Sequence, residues 1–496
     1  MFEVAELGQS LSREEFDQQV PSLRTRLLEM QQTLLDASFP VIVLVSGSDG
    51  AGKAVLVNRL NEWFDPRYLR TLAFDDKTQD ERERPDYWRF WQALPQKGHI
   101  GLYIGSWYSD PIAKRVAKTL NDIELDGYLA HIRIFERMLV EDGALVIKLW
   151  LHLSKAQQQL RLQQLEADPA TAWRVTEKDK RHLALYDSFR SIAEHTLRQT
   201  STAEAPWVVI ESADPHYRDI TVAEHLLERI QHHQALHTCS DTPLEDENAE
   251  AVALIHRQKT LLGNLDLTLA LDKTSYQQQL EHWQGQLSLL ARRAYQQRVS
   301  MVIVLEGWDA GGKGGLIRRI VPALDARNYQ IIPIAVPTDE EAAHHYLWRF
   351  WRHIPRDGRV TIYDRSWYGR VLVERVEGFA SRAQWLRAYS EINDFESQLV
   401  AHGTVVVKFW LHIDKDEQLK RFKEREKISY KRHKITDDDY RNRERWADYE
   451  QAVNDMVERT STEVAPWHLI EANNKRFARI KALKTLCQQL EQQLGG

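Results

Sequence analysis

The residues whose types and spacing point most directly to chemistry are Gly307-Trp-Asp-Ala-Gly-Gly-Lys313. An apolar, β-branched run, Val302 to Leu305, precedes them, and Gly314 to Ile320 reads as a helix. Strand, GxxxxGK turn and helix in that order make a phosphate-binding loop. Glycine lets backbone N–H groups approach phosphate oxygens, and the helix N-terminus adds the positive end of a dipole. The backbone of Gly307, Ala310, Gly311, Gly312 and Gly314 is the expected cradle, and Lys313 adds a full charge. The Ser/Thr that usually follows the lysine and touches Mg2+ is Gly314 here. Asp309 stands inside the loop instead. A carboxylate beside a phosphate cradle is unfavourable unless it holds a metal or a substrate proton, so Asp309 is a candidate Mg2+ ligand.

Asp364-Arg365 follows another apolar run, Val360-Thr-Ile-Tyr. A carboxylate there can organise a metal, or it can simply cap the next helix. Beside a phosphate loop the first role is expected. Arg365 can stabilise charge on a transferring phosphoryl group. Arg318 and Arg370 are placed either to touch phosphate or to lie on the surface. A cationic stretch runs from Lys420 through Arg421 and Arg425 to Lys431-Arg432-His-Lys434, with Arg441, Arg443 and Arg445 beyond. Most charge runs are solvated helix faces. This one has few compensating acids in its middle, and it falls where nucleotide kinases carry a lid over phosphates.

The elements that must position these groups occur twice. Shifted by 260 residues, the chain matches itself. Gly47 to Lys53 overlays Gly307 to Lys313, Trp88-Arg-Phe-Trp91 overlays Trp348 to Trp351, and Lys148-Leu-Trp-Leu-His152 overlays Lys408 to His412. Each copy opens with an amphipathic helix, marked by Phe16, Val20, Leu23, Leu27 and Met30, and by Tyr276, Leu280, Trp283, Leu287 and Leu290. Strands are expected at 41–45, 71–74, 302–305, 331–336, 360–364, 405–411 and 467–470. Buried apolar runs alternating with helices argue for α/β domains, each a parallel sheet covered on both faces. Ligands then bind beyond the carboxyl ends of the strands. A linker near Gln234 to Asn248 divides the chain into domains at 1–240 and 241–496. The first copy lacks the second's critical groups. Ile104-Gly105 replace Asp364-Arg365, Asn58 replaces Arg318, Asp110 replaces Arg370 and Leu165 replaces Arg425. Asp49 and Lys53 survive. The first domain is expected to be catalytically silent.

Composition sets the outer limits. The 496 residues carry a net charge of −6, so no global basic field draws nucleic acid. Two cysteines fit a reducing compartment rather than a disulfide framework. The first residues lack the basic-then-apolar order of a secretion signal. No apolar run is long enough to span a membrane. A cytoplasmic protein is expected, with the oligomeric state left open.

Together, Gly307 to Lys313, Leu347-Trp-Arg-Phe-Trp351, Asp364-Arg-Ser-Trp-Tyr368 and the basic stretch resemble the type-2 polyphosphate kinase family. The resemblance covers nearly the whole chain, twice. One complete and one degraded copy look like the tandem polyphosphate:AMP phosphotransferase class. The resemblance implies a thymidylate-kinase-like fold and Mg2+-dependent transfer of a terminal phosphoryl group from inorganic polyphosphate to AMP, giving ADP. It places Asp309, Lys313, Asp364 and Arg365 on functional positions, with Arg421, Arg425 and Lys431 in the lid. Polyphosphate-dependent nucleoside diphosphate kinase, ATP-dependent nucleoside monophosphate kinase and a non-catalytic polyphosphate binder are the alternatives.

Overall fold

The computed structural model describes residues 1–239, 261–427 and 437–495. The lid positions Lys431, Arg432 and Lys434 and the boundary at 240/241 lie outside the described residues. Among the described residues, ten parallel strands form two five-stranded sheets. The first holds β1 (Val41–Gly47), β2 (Leu69–Ala73), β3 (Ile100–Ile104), β4 (Leu145–His152) and β5 (Trp207–Glu211), in the order β2-β3-β1-β4-β5. The second holds β6 (Met301–Gly307), β7 (Tyr329–Pro333), β8 (Val360–Asp364), β9 (Val405–His412) and β10 (Trp467–Glu471). Its order is β10-β9-β6-β8-β7, the same topology.

The strands are apolar throughout because both faces of each sheet are covered. Every residue of β4 and of β9 is buried, the pattern of a parallel sheet between helical layers. β6 sits between β8 and β9, so the chain crosses to one side of β6 and later returns to the other. Its carboxyl end is therefore the topological switch point, where a crevice opens for ligand.

The opening helices form as their stripes predict. Ser12 caps Arg13–Leu34 through a reciprocal box with Glu15, and Asp272 caps Lys273–Gln296. Phe16, Leu23, Leu27 and Met30 are buried, as are Tyr276, Leu287 and Leu290. Two expectations differ from the structure. β7 ends at Pro333 rather than Val336, because its neighbour β8 ends at Asp364, whose carbonyl takes a last bond from the Ile334 N–H at 3.0 Å. Residues 234–239 are not linker, because the helix Pro215–Cys239 runs through them.

Two compact units emerge. The first comprises Met1–Lys77, Arg89–Glu247 and Ala342–His345; the second comprises Thr78–Trp88, Asn248–Glu341 and Tyr346–Gly496. Within the second, Trp88 Nε1 donates to the Trp351 carbonyl at 2.9 Å, and Arg84 Nε to the Ile354 carbonyl at 3.1 Å. Arg356 pairs with Glu83 at 2.7 Å in the same unit.

Each unit also holds one buried polar array. In the second, Lys408 Nζ donates to Glu396 at 2.7 Å, to the Tyr368 hydroxyl at 2.8 Å and to the Thr460 carbonyl at 2.7 Å. Trp367 and Tyr368 both donate to Glu396. Lys148, Glu136, Tyr108, Trp107 and Thr200 repeat the array in the first. Among the described residues, no helix is long and apolar enough to cross a membrane.

Candidate active site

β6 delivers the chain to Gly307 at the carboxyl edge of the second sheet. A Cβ on Gly307 would lie 2.6 Å from the Leu411 carbonyl oxygen of β9, and its φ is +150°. Only glycine allows the loop to turn this close to β9. Lys313 opens the helix Lys313–Ile320, and its Nζ curls back to the Gly307 carbonyl at 2.6 Å.

β8 lies beside β6 in register, pairing Asp364 with Leu305. Asp364 and Arg365 therefore emerge next to the loop. Arg365 donates to one Asp309 oxygen at 3.1 Å, and Asn442 donates to the other at 3.0 Å. Burial works against charge on Arg365, but Asp309, Glu306 and Asp364 outweigh it and raise its pKa. Arg365 has φ +65° and Ala310 φ +61°, both in the left-handed region. Behind the loop, Glu306 is buried and accepts from Ser366 Oγ at 2.8 Å. Burial raises its pKa, with Lys313 opposing.

These groups line one cavity of about 350 Å3, whose walls are Trp308 to Gly315, Arg318, Pro333, Ile334, Asp364, Arg365 and Arg425. Asp309 to Gly314, Asp364, Arg365, Arg318 and Arg425 thus converge as the sequence spacing suggests, while Gly307 shapes the turn without lining the cavity.

Two arginines do not. Arg421 is a buried strut rather than a lid cation. Its guanidinium donates to the carbonyls of Ala310, Gly311, Ala472 and Asn473, and Nε to Glu417 at 2.7 Å. A guanidinium has five donors in one plane, and here four backbone oxygens and a carboxylate take them. Burial also lowers its pKa. Arg370 pairs with Glu374 at 3.2 Å, covers the Tyr346 ring and is absent from the cavity wall.

Sequence reasoning missed three partners. Asn442 holds Asp309. Trp308 stacks on Trp446 with centroids 3.7 Å apart, and its indole N–H donates to His412 Nδ1 at 3.1 Å. The acceptor role fixes Nδ1 as unprotonated, and burial pushes the His412 pKa down to about 4. The signal was the repeat itself. Trp308, Asn442 and Trp446 face Ser48, His182 and Tyr186 at the constant offset.

In the first unit the loop persists. Lys53 Nζ donates to the carbonyls of Gly47 at 2.9 Å and Ser48 at 3.0 Å. His182 Nδ1 meets Asp49 as Asn442 meets Asp309. Arg218 reaches the Ala51 carbonyl at 3.1 Å, bracing the loop from behind.

A phosphate loop at the switch point of a parallel sheet, faced by two carboxylates and several cations, defines the P-loop kinase class. The family model for Polyphosphate kinase 2 matches residues 10–238 and again 270–495, and the chain belongs to that family. Two curated relatives, each named polyphosphate:AMP phosphotransferase, are 50% identical to it. One, from Pseudomonas aeruginosa, aligns over 99% of both chains; the other, from Pseudomonas syringae, over 99% of this chain and 98% of its own. A third of that name, from Acinetobacter johnsonii, is 38% identical over 94% of this chain and 95% of its own. The crystal structure of a putative polyphosphate kinase 2 from Pseudomonas aeruginosa superposes with a TM-score of 0.88 at 48% identity, covering 99% of each chain.

Proposed function

We propose that the second unit transfers the terminal phosphoryl group of inorganic polyphosphate to AMP, giving ADP and a chain one phosphate shorter. The observation that carries this reading is the convergence of Asp309, Lys313, Asp364 and Arg365 on one cavity. Full-length similarity to the named phosphotransferases supports the choice of donor and acceptor.

A phosphate oxygen of AMP attacks the terminal phosphorus as the P–O bond to the rest of the chain breaks. Positioning and charge neutralisation supply most of such catalysis. Lys313 and the loop amides hold the transferring group. Arg365, tethered to Asp309, meets the charge that builds on its oxygens. Arg318 and Arg425 receive the flanking phosphates of the chain, and Arg421 keeps the loop from shifting.

The donor set also fits Mg2+. Among the described residues no cluster of three metal-ligating side chains exists, but Asp309 and Asp364 line the same cavity. Mg2+ is commonly held by one or two carboxylates together with substrate phosphates and water. Bound there, the ion would neutralise charge on bridging phosphate oxygens.

The test is a matrix of polyphosphate or ATP as donor against AMP, GMP, ADP or GDP as acceptor, with and without Mg2+. Polyphosphate with AMP and Mg2+ should turn over fastest. ATP as sole effective donor would overturn the reading. Lys313→Met in the full chain should leave less than about a thousandth of wild-type turnover with an unchanged melting temperature. Residual turnover of several per cent would show that the first unit also catalyses.

A further inference from the structure

The first unit did not simply lose its site. Where the second carries Trp308, Arg365, Arg425 and Arg445, the first carries Ser48, Gly105, Leu165 and Leu185. Removing an indole and three guanidinium groups should leave either a filled core or a polar, wetted remnant. Neither is found. A cavity of about 350 Å3 remains at the carboxyl edge of the first sheet. Its walls are mostly apolar: Ile112, Val116, Trp150, Leu185 and Phe189. Pockets of this size, apolar with a few convergent polar groups, are typical of small-molecule sites.

The polar groups gather at one end. Gly47, Asp49, Lys53 and His182 meet there. Lys53 lies 3.9 Å from Asp49, which His182 also contacts. The counterparts of Arg318, Arg365 and Arg425 are uncharged. One lysine offset by one carboxylate cannot neutralise a run of phosphates, but with the loop amides it can hold a single anionic head. Burial lowers the Lys53 pKa, a condition that a bound anion would relieve.

We propose that this cavity binds a small amphipathic anion, a hydrocarbon or aromatic body ending in one carboxylate or phosphate monoester. The body packs between Ile112, Val116 and Phe189, and the head sits at Lys53. The site is independent of the transfer reaction assigned to the second unit and stands whether or not that assignment holds.

The test titrates the full chain with 1-anilinonaphthalene-8-sulfonate by fluorescence, then displaces it with decanoate, decyl phosphate, AMP or tripolyphosphate. One saturable site per chain is expected. Decanoate and decyl phosphate should displace the probe, their ratio showing which head is preferred, and tripolyphosphate should not. Ala113 is exposed on the cavity wall. Ala113→Trp should weaken probe binding at least tenfold, and Lys53→Met should weaken it about fivefold. Val116→Phe repeats the filling test if Ala113→Trp does not melt cooperatively. Undiminished binding in the folded filling variants would overturn the proposal, as would displacement by tripolyphosphate at concentrations matching decyl phosphate.

Discussion

Arg365 shows what the active copy gives up to be active. Its φ of +65° puts a Cβ-bearing residue where L-residues are strained by about 1–2 kcal/mol. The other copy has Gly105 there, at φ +74°. Arg365→Gly should therefore raise unfolding stability by about 1 kcal/mol while cutting turnover on the order of a thousandfold. Chemical denaturation and steady-state kinetics on one preparation check both. A loss of stability would show that the Asp309 contact outweighs the strain. Asp309, Lys313, Asp364 and Arg365 were legible because loop chemistry and strand-end position both follow from spacing. Arg421 was not, since a sequence gives a side chain's charge but not its direction. On the face of its helix turned to the loop, a lid cation becomes a brace.

At the scale of the element, strands and opening helices were legible from apolar runs and stripes. β7 was misjudged because its Ile and Val content continues past the point where its neighbour β8 ends, which no local pattern in β7 reveals. The Lys408 array shows how a repeat separates structure from chemistry, since it survives intact in the copy that lost Asp364 and Arg365. Burial pushes Lys408 down and Glu396 up, and each partner's charge opposes the other's shift. Lys408→Met should then cost about 3–5 kcal/mol by stranding Glu396, read as a lower denaturant midpoint at unchanged slope. The strand-end His412 makes a pH-dependent contribution. Its native pKa is about 4, against 6.5 unfolded, so between those values the unfolded chain binds more protons. Its contribution is complete above pH 6.5 and declines as pH falls towards 4, by on the order of 3 kcal/mol. Melting curves across that window should be flatter for His412→Gln than for wild type. Parallel curves would exclude His412 as their source.

For the whole molecule, the duplication was plain from the constant offset, but the membership of the two units was not. No periodicity signals that Thr78–Trp88 completes the second unit, or Ala342–His345 the first. A fragment of residues 248–496 lacks the Trp88 and Arg84 hydrogen bonds and the Glu83 ion pair of its own unit. It should melt about 5–10 °C below the full chain, as a deficit of a few kcal/mol implies for a domain of this size. Adding a peptide of residues 78–88 should recover part of the difference, and no recovery would place the deficit elsewhere.

Synthesis imposes an order on this arrangement. Ala342–His345 emerges roughly a hundred residues after Glu247. At about 5–20 residues per second, the first unit waits on the order of ten seconds for its last piece. Meanwhile Thr78–Trp88, made early, has no unit to join. A nascent chain of this protein carries two unfinished domains at once; the first can close once His345 is out, and the second only as translation nears its end.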